Sequence, residues 1–176
     1  MSGVEMHTSE ETMILDSVDR FLEREVRPVV RELEASDTYP KSIVDRMIEL
    51  GLFGATISTE YGGLGLSATT YASIIERISA VWMSVSGIVN SHLIMAAAVQ
   101  RFGTARQKTH YLPRFASGEL RGGIGLTEPD CGTDLQGIRT QAVGEDDHYV
   151  VNGAKTWITN SAEGGILAVL VKTDRR

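Results

Sequence analysis

Cysteine is nearly absent from this 176-residue sequence, in which Cys131 is the only one. An intramolecular disulfide is therefore excluded, and we expect the protein to work in the cytoplasm or another reducing compartment. Basic residues are fewer than acidic ones, 17 against 23, which leaves a formal net charge of −6. This balance argues against a nucleic-acid partner, because neutralising phosphates requires clustered Lys and Arg.

The sequence also has no long uninterrupted apolar run. Residues 1–11 are polar and show no apolar signal-peptide core. The most apolar region, residues 81–99, is interrupted by serines, an asparagine and His92, so we expect a buried helix and no membrane span. None of the four histidines forms a pair at a metal-ligand spacing, so we expect no metal site. His92 is more typical of a hydrogen-bonded core histidine than of a catalyst.

The remaining composition is that of a globular protein, with 42% hydrophobic and 23% charged residues. The first two-thirds predicts helices. Thr8 and Glu11 have the spacing of a capping box, and apolar residues recur at helical intervals after them. Pro28 should end or kink this first helix. A second helix should begin at Pro40 and end at Gly51, which suits a C-terminal cap.

Two further helices are predicted, from about residue 68 to 80 and from about 83 to 102. The second of these is apolar on most sides, so we expect it at the centre of a bundle. Thr104 can cap a last helix that runs toward Phe115.

The pattern changes near Gly118, where strand-like alternation begins. Turn signals lie at residues 144–147 and at Asn152-Gly153, a pair that strongly predicts a hairpin. We therefore predict an α+β fold: an amino-terminal all-α bundle followed by an antiparallel β-domain. The predicted domains are residues 1–120 and residues 121–176.

The segment "GLTEPDCGTDLQG", residues 125–137, is unusually rich in glycine, acids and threonine. Its acids and hydroxyls could bind a ligand or transfer protons, and its glycines could let the backbone approach a ligand closely. A well-made turn, with Pro129 fixing φ, explains the same residues. The segment matches neither a Walker phosphate loop nor a dinucleotide-binding fingerprint. Cys131 is more typical of a small turn residue than of a nucleophile, which would need an activating base.

The segment "KTWITN", residues 155–160, offers a second candidate site. If it forms a strand, Trp157 and Thr159 point to the same face. An indole beside a hydroxyl suits a planar heteroaromatic ligand, by stacking and one hydrogen bond. Taken alone, the segment favours ordinary packing of a core tryptophan beside a threonine, because aromatic residues in strands usually serve packing.

The two segments together resemble the acyl-CoA dehydrogenase family. "GLTEPDCGTDLQG" is similar to that family's signature, with a mild departure at Cys131, where Gly, Ala, Ser or Asn is usual. "YVVNGAKTWITN" is nearly identical to its β-hairpin, and "STEYGGLGLS" resembles another family stretch, although Thr59 replaces a proline. The resemblance covers almost the whole chain.

The resemblance implies an FAD enzyme that acts on acyl-CoA thioesters. In the family, a carboxylate removes the α-proton while the β-hydrogen leaves as hydride to flavin N5. The product is the 2-enoyl-CoA, and the electrons pass to an electron-transfer flavoprotein. A homo-oligomer, either a tetramer or a dimer, is also implied for the full-length protein.

Carried over by position, the resemblance implies two groups of site residues. Predicted FAD contacts are Ile124, Gly125, Leu126, Thr127, Glu128, Thr133, Trp157, Ile158 and Thr159. Thr133 also lies near the acyl-CoA in this scheme, and the acyl pocket is expected to include Ser91 and Met95 on the central helix. Glu128 and Asp134 are expected to be structural, and neither is expected to be the catalytic base.

Full-length members of the family continue into a second helical domain, which carries the catalytic glutamate. We therefore expect this chain to be a fragment that contains no catalytic residue. Two other functions remain open. The protein could be an acyl-CoA oxidase or flavin monooxygenase of the same fold, or a non-catalytic subunit that pairs with another chain. Acyl chain length and branching are not fixed by these motifs.

Overall fold

A computed structural model describes residues 8–173 of the chain. The prediction about the polar amino terminus concerns residues that mostly lie outside this range. The described part contains six α-helices in its first two-thirds: α1 Ser9–Phe21, α2 Val30–Ala35, α3 Lys41–Glu49, α4 Ala68–Val81, α5 Met83–Phe102 and α6 Ala105–Ala116. Four strands follow: β1 Gly122–Gly125, β2 Gln141–Glu145, β3 His148–Asn152 and β4 Ile166–Val169.

Side-chain caps define the starts of α1 and α6, as the sequence predicts. At α1 the Glu11 backbone N–H donates to Thr8 Oγ1 at 3.1 Å, and the Thr8 N–H donates to the Glu11 carboxylate at 2.9 Å. The same reciprocal capping box joins Thr104 and Gln107 at the start of α6. Each cap satisfies two N–H groups that have no partner inside the helix.

Helix ends also follow the sequence. Before Pro28, α1 gives way to a π-helical segment, Leu22–Val26, and α-helix resumes only at Val30. The predicted break at Pro28 is therefore confirmed. Gly51 follows α3 with φ of 74°, a left-handed conformation that glycine adopts at low cost.

Helix α5 is the central element of the fold. It packs against α4, α6 and β1, and its buried face carries eight residues, which are Val85, Ser86, Ile88, Val89, His92, Leu93, Met95 and Ala96. Within residues 8–173, α5 is the one helix long and apolar enough to cross a membrane. Its buried apolar residues belong to the protein's own hydrophobic core, which confirms the predicted buried helix.

The β-region consists of two pairs of strands, and the predicted order of helices first and strands second is confirmed. β2 and β3 pair antiparallel around a turn at Asp146, which has φ of 48°. β1 and β4 pair in parallel, with Gly122 opposite Ile166 and Gly125 opposite Val169. This second pair differs from the antiparallel arrangement expected, because the β2–β3 hairpin lies inside the long connection between its strands.

The second predicted hairpin turn is wrong. β3 ends at Asn152, and residues 155–160 form no strand. Trp157 and Asn160 are both left-handed, with φ of 58° and 67°. β3 pairs with β2 across the Gly144–Asp147 turn, so β3 does not form a second hairpin with the residues that follow it. Those residues instead pack against the segment that follows β1. Trp157 and Thr159 therefore do not lie on a shared strand face, contrary to the prediction.

Candidate functional site

The two sequence motifs lie side by side in the structure, although about 30 residues separate them. The Thr156 N–H donates to the Thr127 carbonyl at 2.9 Å, and Lys155 Nζ donates to the Leu126 carbonyl at 2.9 Å. The segment that follows β1 and the segment that follows β3 are thus joined by backbone as well as side-chain hydrogen bonds. The structure brings together the residues on which the resemblance rests.

The buried side chain of Glu128 stabilises the contact between these two segments. Its side chain is buried, and Oε1 lies 2.8 Å from Lys155 Nζ. The backbone N–H groups of Arg139 and Thr140 donate to its carboxylate at 2.6 and 3.0 Å. Burial alone would raise the pKa of Glu128, but these hydrogen bonds outweigh it and hold the pKa well below its usual value. Glu128 is therefore a structural anion, as predicted, and its contact with a cofactor stays a prediction.

Trp157 is the most unusual residue of the site. Its side chain is 92% exposed, and its backbone is left-handed. A bulky residue with positive φ costs about 1–3 kcal/mol and persists only where the surroundings impose it. Exposing a whole indole also forgoes the burial that tryptophan normally gains. This combination is typical of a functional surface, and a planar ligand is the natural partner for the exposed ring.

Asn160 was missed by the sequence reasoning, although it fixes the end of the same segment. Its side-chain amide donates to the carbonyls of Ile88 in α5, at 2.9 Å, and of Gly122 in β1, at 2.8 Å. The available signal was its residue type, because asparagine adopts left-handed backbone more readily than other non-glycine residues.

Gly122 is also held from the helical side. Its N–H donates to Nδ1 of His92 at 3.4 Å, and His92 Nε2 donates to the Phe115 carbonyl at 3.2 Å. Burial lowers the pKa of His92 from 6.5 to about 4, and the hydrogen bond to Phe115 only partly offsets this effect. His92 is thus a hydrogen-bonded core histidine, as predicted, and the structure shows in addition that it joins α5, α6 and β1.

Three of the site elements meet at Gly123. A Cβ atom at this position would lie 2.7 Å from Ser91 Oγ and would collide with the Thr159 carbonyl oxygen. Only glycine therefore allows α5, β1 and the Trp157 segment to approach so closely. Ser91 and Thr159, which the resemblance assigns to substrate and cofactor, are neighbours across this glycine.

Two clefts contain predicted site residues. One, of about 450 Å³, is lined by Ile158, Thr159 and Asn160 together with residues that include Trp82 and Ile88. The second, of about 310 Å³, includes Met95 together with residues of α6 and β4. Met95 is itself buried. Ser91 lies at the Gly123 contact, so the two predicted acyl-pocket residues are in different surroundings.

The remaining predicted positions lie along the same part of the chain. Ile124 and Gly125 belong to β1, and Leu126 and Thr127 follow it in half-buried positions. Thr133 is on an exposed loop. Cys131 Sγ donates to the Asp134 carbonyl at 2.6 Å, which agrees with its predicted role as a turn residue. Contacts of these residues with a cofactor stay predictions.

The chain matches two family descriptions in tandem. Residues 8–119 match the acyl-CoA dehydrogenase N-terminal domain, and residues 123–176 match the acyl-CoA dehydrogenase middle domain. The chain is 37% identical, over 169 residues, to the short-chain specific acyl-CoA dehydrogenase of Clostridium acetobutylicum. This alignment covers 96% of the chain and 45% of the relative.

Solved structures give the same result. A chain in the structure of the electron transferring flavoprotein of Acidaminococcus fermentans, studied for flavin-based electron bifurcation, superposes with a TM-score of 0.92 at 33% identity. The match covers 98% of this chain and 46% of that one. The acyl-CoA dehydrogenase of Bacillus anthracis complexed with FAD superposes with a TM-score of 0.88 at 36% identity, covering 98% of this chain and 31% of that one. The chain thus spans less than half the length of each of these proteins.

Proposed function

Because the chain belongs to the acyl-CoA dehydrogenase family, we propose that it is the amino-terminal part of an FAD-dependent acyl-CoA dehydrogenase. The reaction is α,β-dehydrogenation of an acyl-CoA thioester to the 2-enoyl-CoA. An electron-transfer flavoprotein receives the electrons in this proposal, and the full-length protein is a homo-oligomer.

The observation that carries the proposal is Trp157. A strained backbone that holds a 92% exposed indole is what a stacking surface for a planar cofactor requires. Thr159, two residues later, supplies an exposed hydroxyl. The fit is therefore to a flat heteroaromatic ring that also accepts a hydrogen bond, and the isoalloxazine of FAD has both properties. A relative of similar fold is described as complexed with FAD.

The chain's own residues would hold the cofactor and orient it. Trp157 would cover one face of the ring system, and the Thr159 hydroxyl would donate a hydrogen bond to it. Gly123 lets α5 come close, so Ser91 would border the acyl-CoA on the helical side. Bound FAD would supply the acceptor for the β-hydrogen. The proposal covers straight and branched acyl groups alike.

The catalytic base is proposed to come from outside the described residues. Removal of the α-proton requires a carboxylate that can accept a proton near the reacting carbon. Glu128 cannot serve, because it is buried against Lys155 and its pKa is held low. Glu76 is exposed on α4, beside Arg77, in surroundings typical of a solvated residue.

An anaerobic reduction experiment tests this function. The complete protein that contains the chain is loaded with FAD and mixed, without oxygen, with straight and branched acyl-CoAs. We expect bleaching of the flavin absorbance and formation of the 2-enoyl-CoA, detected by mass spectrometry, with reoxidation by an electron-transfer flavoprotein faster than by air. Fast reoxidation by oxygen alone would identify an oxidase instead. If none of the acyl-CoAs reduced the flavin, the proposed reaction would be contradicted.

A further inference from the structure

Asn160 connects three elements of the fold through one side chain. Its amide nitrogen donates to the Ile88 carbonyl in α5 at 2.9 Å and to the Gly122 carbonyl in β1 at 2.8 Å. Both acceptors are backbone atoms, so the side chain is hydrogen-bonded directly to the main chains of α5 and β1. Because both hydrogens of the amide are used, no other side chain of similar size can replace it: aspartate has no donor, and leucine has no polar atom.

The backbone of Asn160 adds a second constraint. Its φ of 67° ends a four-residue segment that begins with the left-handed Trp157. Its carbonyl accepts the Gly164 N–H at 2.8 Å, which closes the turn that follows. Ile158 and Thr159 are therefore held between two residues with left-handed backbone, of which only Asn160 has its side chain anchored in the interior.

The acceptor in β1 is itself fixed. Gly122 accepts from Asn160 through its carbonyl and donates through its N–H to His92, which lies on α5. The Thr159 carbonyl packs against the next residue, Gly123, where a Cβ atom would collide with it. A small displacement of Asn160 would therefore move the Thr159 main chain away from β1, and the hydroxyl with it.

We propose that Asn160 is a positioning residue for cofactor binding: its side-chain amide holds the Trp157–Thr159 segment in its binding-competent conformation before the cofactor arrives. The proposal rests on the proposed function, since it concerns the site at which FAD is expected to bind. It goes further in assigning the organisation of that site to one side-chain amide, which donates to two backbone carbonyls.

Two substitutions distinguish the role of the Asn160 amide from the role of its left-handed backbone. Asn160→Gly keeps a left-handed φ at no steric cost but removes both donors. Asn160→Asp keeps the shape and a tolerance for left-handed backbone, but places carboxylate oxygens against two carbonyls. The matched control is Asp146→Gly, because Asp146 is also a non-glycine residue with positive φ, of 48°, in the β2–β3 turn.

The experiment uses the complete protein, with and without FAD. Hydrogen exchange of the flavin-free protein reports whether residues 157–160 are ordered before binding, and equilibrium titration gives the dissociation constant for FAD. We expect both Asn160 variants to lose exchange protection in this segment and to bind FAD at least about tenfold more weakly than the wild type. Asn160→Asp should bind FAD more weakly than Asn160→Gly. Asp146→Gly should match the wild type in both measurements.

The outcomes distinguish this proposal from the proposed function. If the wild type binds no FAD, the proposed function fails, and the exchange pattern of the flavin-free variants still decides whether Asn160 orders the segment. If the wild type binds FAD and Asn160→Gly has wild-type protection and affinity, the positioning role is overturned while the function stands. Equal losses in Asn160→Gly and Asp146→Gly would also overturn it, because the effect would then belong to general destabilisation.

Discussion

Lys155 and Glu128 form an ion pair across 27 residues of sequence, with 2.8 Å between Nζ and Oε1. The two side chains are only 10% and 5% exposed. The pair joins the segment after β1 to the segment that carries Trp157. The ion pair joins the two segments through side chains, and the hydrogen bond from the Thr156 N–H to the Thr127 carbonyl joins them through the backbone.

Replacement of Lys155 by methionine should lower both the melting temperature and the affinity for FAD. The substitution leaves the buried Glu128 carboxylate without its counter-charge, which costs more than the loss of an exposed pair. Thermal unfolding and FAD titration of the complete protein measure the two effects. The control is Arg27→Met, which breaks an exposed pair with Glu23 and should change stability by no more than about 0.5 kcal/mol. Equal effects of the two substitutions would show that the buried pair has no special role.

Stability should fall as pH decreases from 7 toward 4 because of His92. Its pKa is about 4 in the folded protein and 6.5 otherwise, so the unfolded chain binds the extra proton in this window. Stability is therefore fully present above about pH 6.5 and lost as pH falls, by about 2 kcal/mol at pH 5. Urea unfolding at a series of pH values should show this slope. His92→Gln should flatten this slope, and an unchanged slope in that variant would contradict the assignment to His92.

Thr159→Val should slow flavin reduction more than it weakens acyl-CoA binding. The change removes one hydroxyl at the proposed ring contact and keeps the β-branched shape, so the loss should be about 1–3 kcal/mol in the reduction step. Stopped-flow reduction of the complete protein by acyl-CoA gives the rate, and its concentration dependence gives the binding. Ser161→Ala, at an exposed position next to Asn160, is the control. An unchanged reduction rate in Thr159→Val would mean that the hydroxyl has no part in the reaction.

The 176-residue chain alone should not dehydrogenate acyl-CoA. Three of its acids are unsuited to act as the base: Glu128 is paired with Lys155, Asp134 lies in the signature loop and Glu76 is solvated on α4. The assay mixes the chain with FAD, an artificial electron acceptor and a range of acyl-CoAs. Turnover at a rate typical of an enzyme would show that a base is present within these residues.

The helical half could be predicted closely because its signals are local. Capping boxes, the break at Pro28 and the apolar pattern of α5 each depend on residues within a few turns of one another. The parallel pairing of β1 with β4 could not be predicted in this way. It depends on contacts between strands about 40 residues apart, which no short-range pattern encodes.

The site shows the same division. The resemblance identified Trp157 and Thr159, but the strand predicted for their segment is wrong. Residues 155–160 are held by hydrogen bonds to Thr127, Glu128 and Gly122, which are distant in the sequence. Alternation of residue types cannot distinguish such a segment from a strand. Asn160 could not be found from the sequence for the same reason, since its importance lies in the two carbonyls that it reaches.

The most direct test of the central claim is an FAD titration of the complete protein, followed by visible absorbance and by acrylamide quenching of tryptophan fluorescence. The sequence has two tryptophans, of which Trp82 is 5% exposed and Trp157 is 92% exposed. We predict that FAD binds non-covalently, gives a yellow protein and removes the quencher-accessible fluorescence, and that Trp157→Ala weakens this binding. A protein that stays colourless after FAD addition, with Trp157 still open to acrylamide, would contradict the account.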